Sequence, residues 1–150
     1  MRLKYFGRNR KLKKAVRIAN QIFNDDLLYE KIKEHQQFDN TGLTNAEISN
    51  IIYNFSLEVR IKGYWWPFGV ANASTGSYSL IKVNTGKLRR TNKSIVNTIA
   101  HEYVHSVDFW YKKSINSNEL LFTHVDNENN GEEDNTAPWA IGSIVKDMVD

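Results

Sequence analysis

The centre of the chain, residues 92–110, reads NKSIVNTIAHEYVHSVDFW and carries two patterns at once. Apolar residues recur at helical spacing and form one stripe, made of Val96, Ala100, Tyr103, Val107 and Trp110. A second stripe is polar and holds Asn97, His101, His105 and Asp108. We therefore predict an amphipathic helix that starts near Asn92 or Ser94, buries the first stripe in the core and keeps the histidines outside it.

Within this helix, His101-Glu102-Tyr103-Val104-His105 has the spacing of a metal-binding motif. Residues four apart on a helix project about 40° from each other, so both imidazoles can reach one zinc ion at roughly 2.0–2.1 Å. Glu102 lies beside that position and can act as general base on a zinc-activated water, then pass the proton to a leaving amine. The competing interpretation is two surface histidines beside an unrelated glutamate.

A catalytic zinc commonly has three protein ligands and a water molecule, so a third ligand is expected. The chain has no cysteine, which leaves histidine and carboxylate side chains. His124 is the favoured residue, because the chain can finish the helix, turn and return to the metal. His35 is a weaker choice. The alternatives in the acidic segment that follows are Glu128, Glu132, Glu133 and Asp134. Asp108, one turn after His105, could orient a histidine or pair with Lys112.

The other elements predict a mixed fold. Helical spacing over residues 12–23, a helix capped by Asn24 and a capping box at Thr44-Asn45-Ala46-Glu47 indicate three N-terminal helices. Alternation over 57–61 indicates a strand, and 68–73 and 78–83 indicate two more around a turn at Ser74-Thr75-Gly76. The 78–83 strand could offer its edge to an extended peptide. Tyr64-Trp65-Trp66 is expected in the core, with a platform for substrate as the alternative. Residues 137–148 are expected to form a last helix.

The composition bounds the class of protein. With 150 residues, of which 41% are apolar, the chain is long enough for one folded domain spanning 1–150. No stretch has the apolar run of a signal peptide or of a membrane span, so we expect a cytoplasmic protein without membrane contact. The segment 1–35 reads as basic and helical, and its first twenty residues carry bases but no acid. That end could contact DNA or an acidic partner, or could simply be a solvated helix face.

Two segments resemble the SprT-like zinc metallopeptidases and their phage-encoded relatives: residues 98–105, reading TIAHEYVH, and residues 123–126, reading THVD. The resemblance implies a zincin-like α+β fold with N-terminal helices, a small twisted sheet, the motif helix and a C-terminal helix. It implies zinc bound by His101, His105 and His124, with Glu102 as general base. Two departures stand out: Thr123 and Val125 replace glycines that flank the third histidine in the family, and the zinc ribbon of some members is absent.

Motif and resemblance together predict a zinc-dependent metallopeptidase that acts on a protein or peptide. The alternative is a zinc-containing nucleic-acid- or protein-binding module without catalysis. Some relatives act on proteins bound to DNA, which would suit the basic N-terminus. A third interpretation is a helical DNA-binding protein whose motif is accidental; its DNA binding would depend on salt and not on chelators.

Overall fold

The structure, a computed structural model, describes residues 2–123 and 135–150. Its elements combine helices with a small sheet, which confirms the mixed α+β class. In chain order they are β1 (Leu3–Tyr5), α1 (Arg10–Phe23), α2 (Asp26–Glu34), α3 (Asn45–Asn54), β2 (Val59–Tyr64), β3 (Ala73–Ser77), β4 (Leu80–Asn84), a short 3-10 turn (Thr85–Lys87), α4 (Asn92–Ser114) and α5 (Ala137–Asp147). Among these helices, none has the length and apolar character needed to cross a bilayer.

Within residues 2–123 and 135–150, the strands form one sheet in the order β1-β2-β4-β3. Strands β1, β2 and β4 run parallel, and β3 is antiparallel to β4. Val59 and Ile61 are buried while Arg60 and Lys62 are exposed, so the alternation that predicted this strand is confirmed. Helices cover the buried face, where α4 contacts β3 and β4, and α1 contacts β1. On the opposite face of β2 and β4, the side chains of Arg60, Lys62 and Lys82 are exposed.

The sequence predicted a helical segment over residues 1–35, but this segment also contains a strand. Residues Leu3–Tyr5 form strand β1, which pairs with β2. Asn20 on α1 explains how so short a strand is held at the sheet edge: its Oδ1 accepts from the backbone N–H groups of Arg2 and Leu3 at 3.0 and 2.9 Å, and its Nδ2 donates to Leu3 O at 2.9 Å. Three residues carry too little periodicity to be predicted as a strand, and the partners lie far away in sequence.

The region 68–83 also differs from the prediction. Residues 74–76, predicted as a turn, lie inside strand β3, and 68–72 lie outside any strand. Strand β4, predicted to have an open edge, lies between β2 and β3, so among the described strands β3 is the outermost on this side. Pairing with β4 satisfies the backbone of the small polar residues in β3, which outweighs their low preference for strands.

The helix ends follow local capping rules. Thr44 and Glu47 form the predicted capping box at the start of α3. Thr91 caps α4 by accepting from the N–H of Ser94, so α4 begins at the earlier of the two predicted positions. Helix α2 is capped by Asp25, whereas Asn24, the predicted cap, ends α1.

Helix α4 is the central element of the core. Val96, Ala100, Tyr103 and Val107 of its apolar stripe are fully buried, and the Tyr103 ring lies 4.3 Å from that of Phe23, centroid to centroid. Helix α5 packs closely along α4, because Gly142 has no side chain: a Cβ there would lie 2.4 Å from Asn97 Oδ1. The polar stripe of α4 is thereby enclosed between α5 on one side and β3 on the other.

Candidate metal centre and cleft

His101 and His105 of α4 direct the same ring nitrogen to one point. Their Nε2 atoms lie 3.3 Å apart, and their rings are inclined at 65° with centroids 5.0 Å apart. The exposed fraction of the His101 side chain is only 9%, and His105 is half-buried. The four-residue spacing on the helix therefore brings the two imidazoles side by side, as the sequence predicted.

This separation fits a shared zinc ion. Two nitrogens that each lie about 2.0–2.1 Å from a tetrahedral metal are about 3.3 Å from each other. The predicted third ligand is His124 or one of Glu128, Glu132, Glu133 and Asp134. All five lie outside the described residues. Within 2–123 and 135–150, no group of three or more histidine and acidic side chains is placed to hold a metal.

Glu102 is held by the edge strand of the sheet. Thr75 Oγ1 in β3 lies 2.7 Å from Glu102 Oε2 and 3.1 Å from the backbone oxygen of Glu102. A hydroxyl donated to one carboxylate oxygen restricts the rotation of the carboxyl group. Thr75 was missed by the sequence reasoning, which had placed it in a turn.

A cleft of about 620 Å³ runs along this side of α4. One wall is the segment Val70–Ala73, which leads into β3, and the other is formed by the first turns of α4 and by Trp139. His101 and Glu102 lie in it, with Arg90, Ser94, Asn97 and Thr98 farther along. The guanidinium of Arg90 donates from Nη1 to Thr98 Oγ1 at 2.8 Å, so the cleft has a fixed positive charge one helical turn from Glu102. Burial lowers the pKa of Arg90, although arginine remains charged at neutral pH.

Trp139 of α5 closes the cleft over the first histidine. Its ring lies 4.5 Å from that of His101, centroid to centroid, at an angle of 65°. An edge-to-face contact of this kind restricts the rotation of the imidazole and shields it from water. The sequence analysis assigned no role to Trp139. Only the packing of α5 on α4 reveals that it touches the candidate centre.

Asp108 does not serve either role expected of it. Its side chain is fully buried and its carboxylate accepts the backbone N–H of Leu121, at 3.1 Å from each oxygen, and that of Phe122, at 3.2 Å. Burial raises the pKa of Asp108, and these N–H groups partly oppose the rise. Asp108 thus ties the segment that precedes His124 to the helix that carries the two histidines.

The other candidates lie elsewhere. His35 Nε2 is 2.9 Å from Asn135 Oδ1, and its ring stacks on Phe38 at the end of α2. Tyr103 is a core residue, and burial raises its pKa to about 12. Tyr111 is half-buried with its ring 6.4 Å from that of Phe122, centroid to centroid.

The predicted core cluster at residues 64–66 is wrong for its two tryptophans. Trp65 and Trp66 are 70% and 56% exposed. They begin a loop between β2 and β3 that ends at the wall of the cleft.

Comparisons of the chain with models of known families, with curated proteins and with solved structures find no match.

Proposed function

We propose that the protein is a zinc-dependent metallopeptidase whose centre is built on α4. The observation that carries this proposal is the 3.3 Å separation of the two Nε2 atoms, with the carboxylate of Glu102 on the next residue and at the wall of a cleft. Two imidazoles at ligand spacing beside an oriented carboxylate suit hydrolysis, since a purely structural zinc needs no base beside it.

The residues divide the chemistry between them. His101 and His105 would hold zinc through Nε2, with His124 or one of the four acidic residues Glu128, Glu132, Glu133 and Asp134 as third ligand. Bound zinc supplies a Lewis acid that polarises a carbonyl and lowers the pKa of water. Glu102 would accept the proton of the attacking water and return it to the leaving amine, while Thr75 holds Oε2. Trp139 limits the motion of His101 and the access of bulk water.

The position of the sheet edge favours a polypeptide as substrate. Strand β3 pairs with β4 on one side, and its Thr75 contacts Glu102. An extended chain that adds to the other side of β3 would have its peptide bonds beside the candidate base. The strand proposed for this role from the sequence was β4, but β4 is paired on both sides, so the role passes to β3.

The variant Glu102→Gln tests the proposal. It keeps the shape of the side chain and the contact with Thr75, but it removes the base. We expect it to bind as much zinc as the unmodified protein and to lose cleavage of a mixed peptide library measured by mass spectrometry. The exposed Glu119→Gln is the matched control and should cleave normally.

Two results would count against the proposal. If the unmodified, zinc-loaded protein cleaves no peptide in the library, the alternative of a zinc-containing binding module is favoured. If Glu102→Gln and the unmodified protein produce the same cleavage pattern, Glu102 is not the base.

A further inference from the structure

The loop between β2 and β3 exposes an unusual amount of apolar surface. Within six residues, four large side chains are largely in solvent: Trp65 is 70% exposed, Trp66 56%, Phe68 88% and Val70 95%. We call residues 65–70 the aromatic loop. Single exposed apolar residues are common on proteins, but a contiguous patch of this kind marks a surface that binds something.

The backbone of the aromatic loop is hydrogen-bonded to a buried side chain, that of Asn84. Asn84 is fully buried, and its side chain accepts from the N–H of Trp66 at 3.0 Å and donates to the carbonyl oxygens of Trp66 at 2.7 Å and Ala71 at 3.3 Å. Gly86 permits close approach as well, since a Cβ there would lie 2.9 Å from the nitrogen of Pro67. A buried amide that binds Trp66 near the start of the loop and Ala71 just after its end restricts the loop backbone, which lowers the entropy lost on binding.

The loop is continuous with the cleft. Val70 is both the most exposed of the four side chains and part of the cleft wall, together with Ala71, Asn72 and Ala73. His101 and Glu102 line the same cleft. An occupant of the cleft that continues past Ala73 therefore passes over Val70 and Phe68.

This continuity selects the kind of occupant. A membrane surface is broad and cannot follow the wall into a concave cleft, whereas a polypeptide in extended form is slender enough to lie in the cleft and continue onto the loop. The polypeptide must also offer apolar side chains, because only these gain from contact with tryptophan, phenylalanine and valine.

We propose that the aromatic loop is the specificity surface of the cleft, and that the protein selects polypeptide segments bearing aromatic or large aliphatic side chains to one side of the bond placed at Glu102. Such side chains are mostly buried in folded proteins. The substrates are accordingly unfolded or extended segments and not folded surfaces. This inference rests on the proposed peptidase function, but the peptide binding that it requires is measurable without cleavage.

The experiment measures binding with the full-length Glu102→Gln protein, loaded with zinc so that the cleft is complete. Two fluorescent peptides of equal length and net charge are compared, one with phenylalanine and leucine and the other with serine and glycine at the same positions. The apolar peptide should bind more tightly. Adding Phe68→Ser and Val70→Ser should weaken its binding by at least about tenfold, the loss expected for two apolar contacts, and should leave the polar peptide unaffected.

The control is Phe6→Ser. Phe6 is 76% exposed and follows β1, at the opposite edge of the sheet, so its loss should not affect either peptide. Thermal melting of each variant checks that it is folded, which is expected because the substituted side chains are exposed.

Three outcomes would overturn the inference: equal binding of both peptides, unchanged binding by the loop variant, or an equal loss in Phe6→Ser. Loop-dependent binding to phosphatidylcholine–phosphatidylserine vesicles without peptide discrimination would also overturn it in favour of a membrane contact. If peptides bind through the loop but the unmodified protein cleaves none of them, the inference about binding holds and the peptidase proposal fails.

Discussion

Thr75 Oγ1 in strand β3 lies 2.7 Å from Oε2 of Glu102 in helix α4. The same hydroxyl lies 3.1 Å from the backbone oxygen of Glu102, so its single proton is directed at the carboxylate and the backbone oxygen of one residue. The contact joins β3, the strand proposed to align a substrate, to Glu102, the residue proposed to take the proton of the attacking water. Loss of the Thr75 hydroxyl would therefore release the carboxylate while leaving the pairing of β3 with β4 in place.

The first prediction concerns this hydroxyl. Thr75→Val keeps the size and β-branching of the side chain but removes the donor, and should lower kcat by about tenfold to a hundredfold, as is typical when the group orienting a functional side chain is lost. Zinc content and KM should change little, because Thr75 contacts neither histidine ring in the described geometry. Steady-state kinetics on a peptide identified in the library screen, with metal analysis, measures both.

Thr75→Ser restores the hydroxyl and should recover most of the activity. Ser74→Ala is the control on the same strand, since Ser74 is exposed on the other face. A merely structural role for Thr75 would be indicated by equal defects in the valine and serine variants, or by a fall in stability that accounts for the lost activity.

The second prediction concerns metal binding. His105→Ala removes one of the two Nε2 atoms that lie 3.3 Å apart, and should lose most of its zinc after dialysis against zinc-free buffer. His124→Ala should also lose zinc if that residue is the third ligand. His35→Ala should keep it, because His35 contacts Asn135 and Phe38. Retention of one zinc per chain by His105→Ala would rule out the proposed centre.

The third prediction follows from the buried carboxylate of Asp108. Burial holds its pKa in the folded protein above the ordinary value near 3.8. Between these two values the folded state binds more protons than the unfolded state, so the contribution of Asp108 to the free energy of unfolding falls as pH rises through this window, and is level above it. Asp108→Asn removes that dependence.

Urea unfolding of the zinc-free proteins at several values of pH between 4 and 7 tests this. The stability of the unmodified protein relative to Asp108→Asn should increase as the pH is lowered. Asp147→Asn, which alters an exposed acid on α5, serves as the control. A difference between unmodified protein and Asp108→Asn that is constant over the whole range would contradict the prediction.

The fourth prediction concerns the hold of α1 on strand β1. Asn20 is 5% exposed and makes three hydrogen bonds to the backbone of Arg2 and Leu3. Asn20→Ala should reduce the free energy of unfolding by about 2–4 kcal/mol, because it leaves buried backbone groups without partners. Urea unfolding measures the change, and Asn50→Ala on the exposed side of α3 should be nearly neutral. A loss below about 0.5 kcal/mol, the usual size of a neutral surface substitution, would mean that water replaces the Asn20 amide.

The helical spacing of apolar residues predicted a helix reliably where the pattern extended over several turns, as in α4. The four-residue spacing of His101 and His105 follows from the geometry of one helix, and α4 has it because the apolar stripe of that helix is buried in the core. The capping box at Thr44 was predictable for the same reason, since cap and partner lie within one turn. The mixed α+β class followed from the change of period near residue 57.

The sequence by itself therefore determined the helix that carries the two histidines, the distance between them and the identity of the carboxylate beside them, because each depends on contacts within a few residues. Only the tertiary structure decided which strand forms the open edge, that Thr75 binds Glu102, that Trp139 covers His101, that Asp108 anchors residues 121 and 122, and that Trp65 and Trp66 face solvent. These relationships join residues distant in the chain, and they arise from pairing and packing that local propensity does not contain.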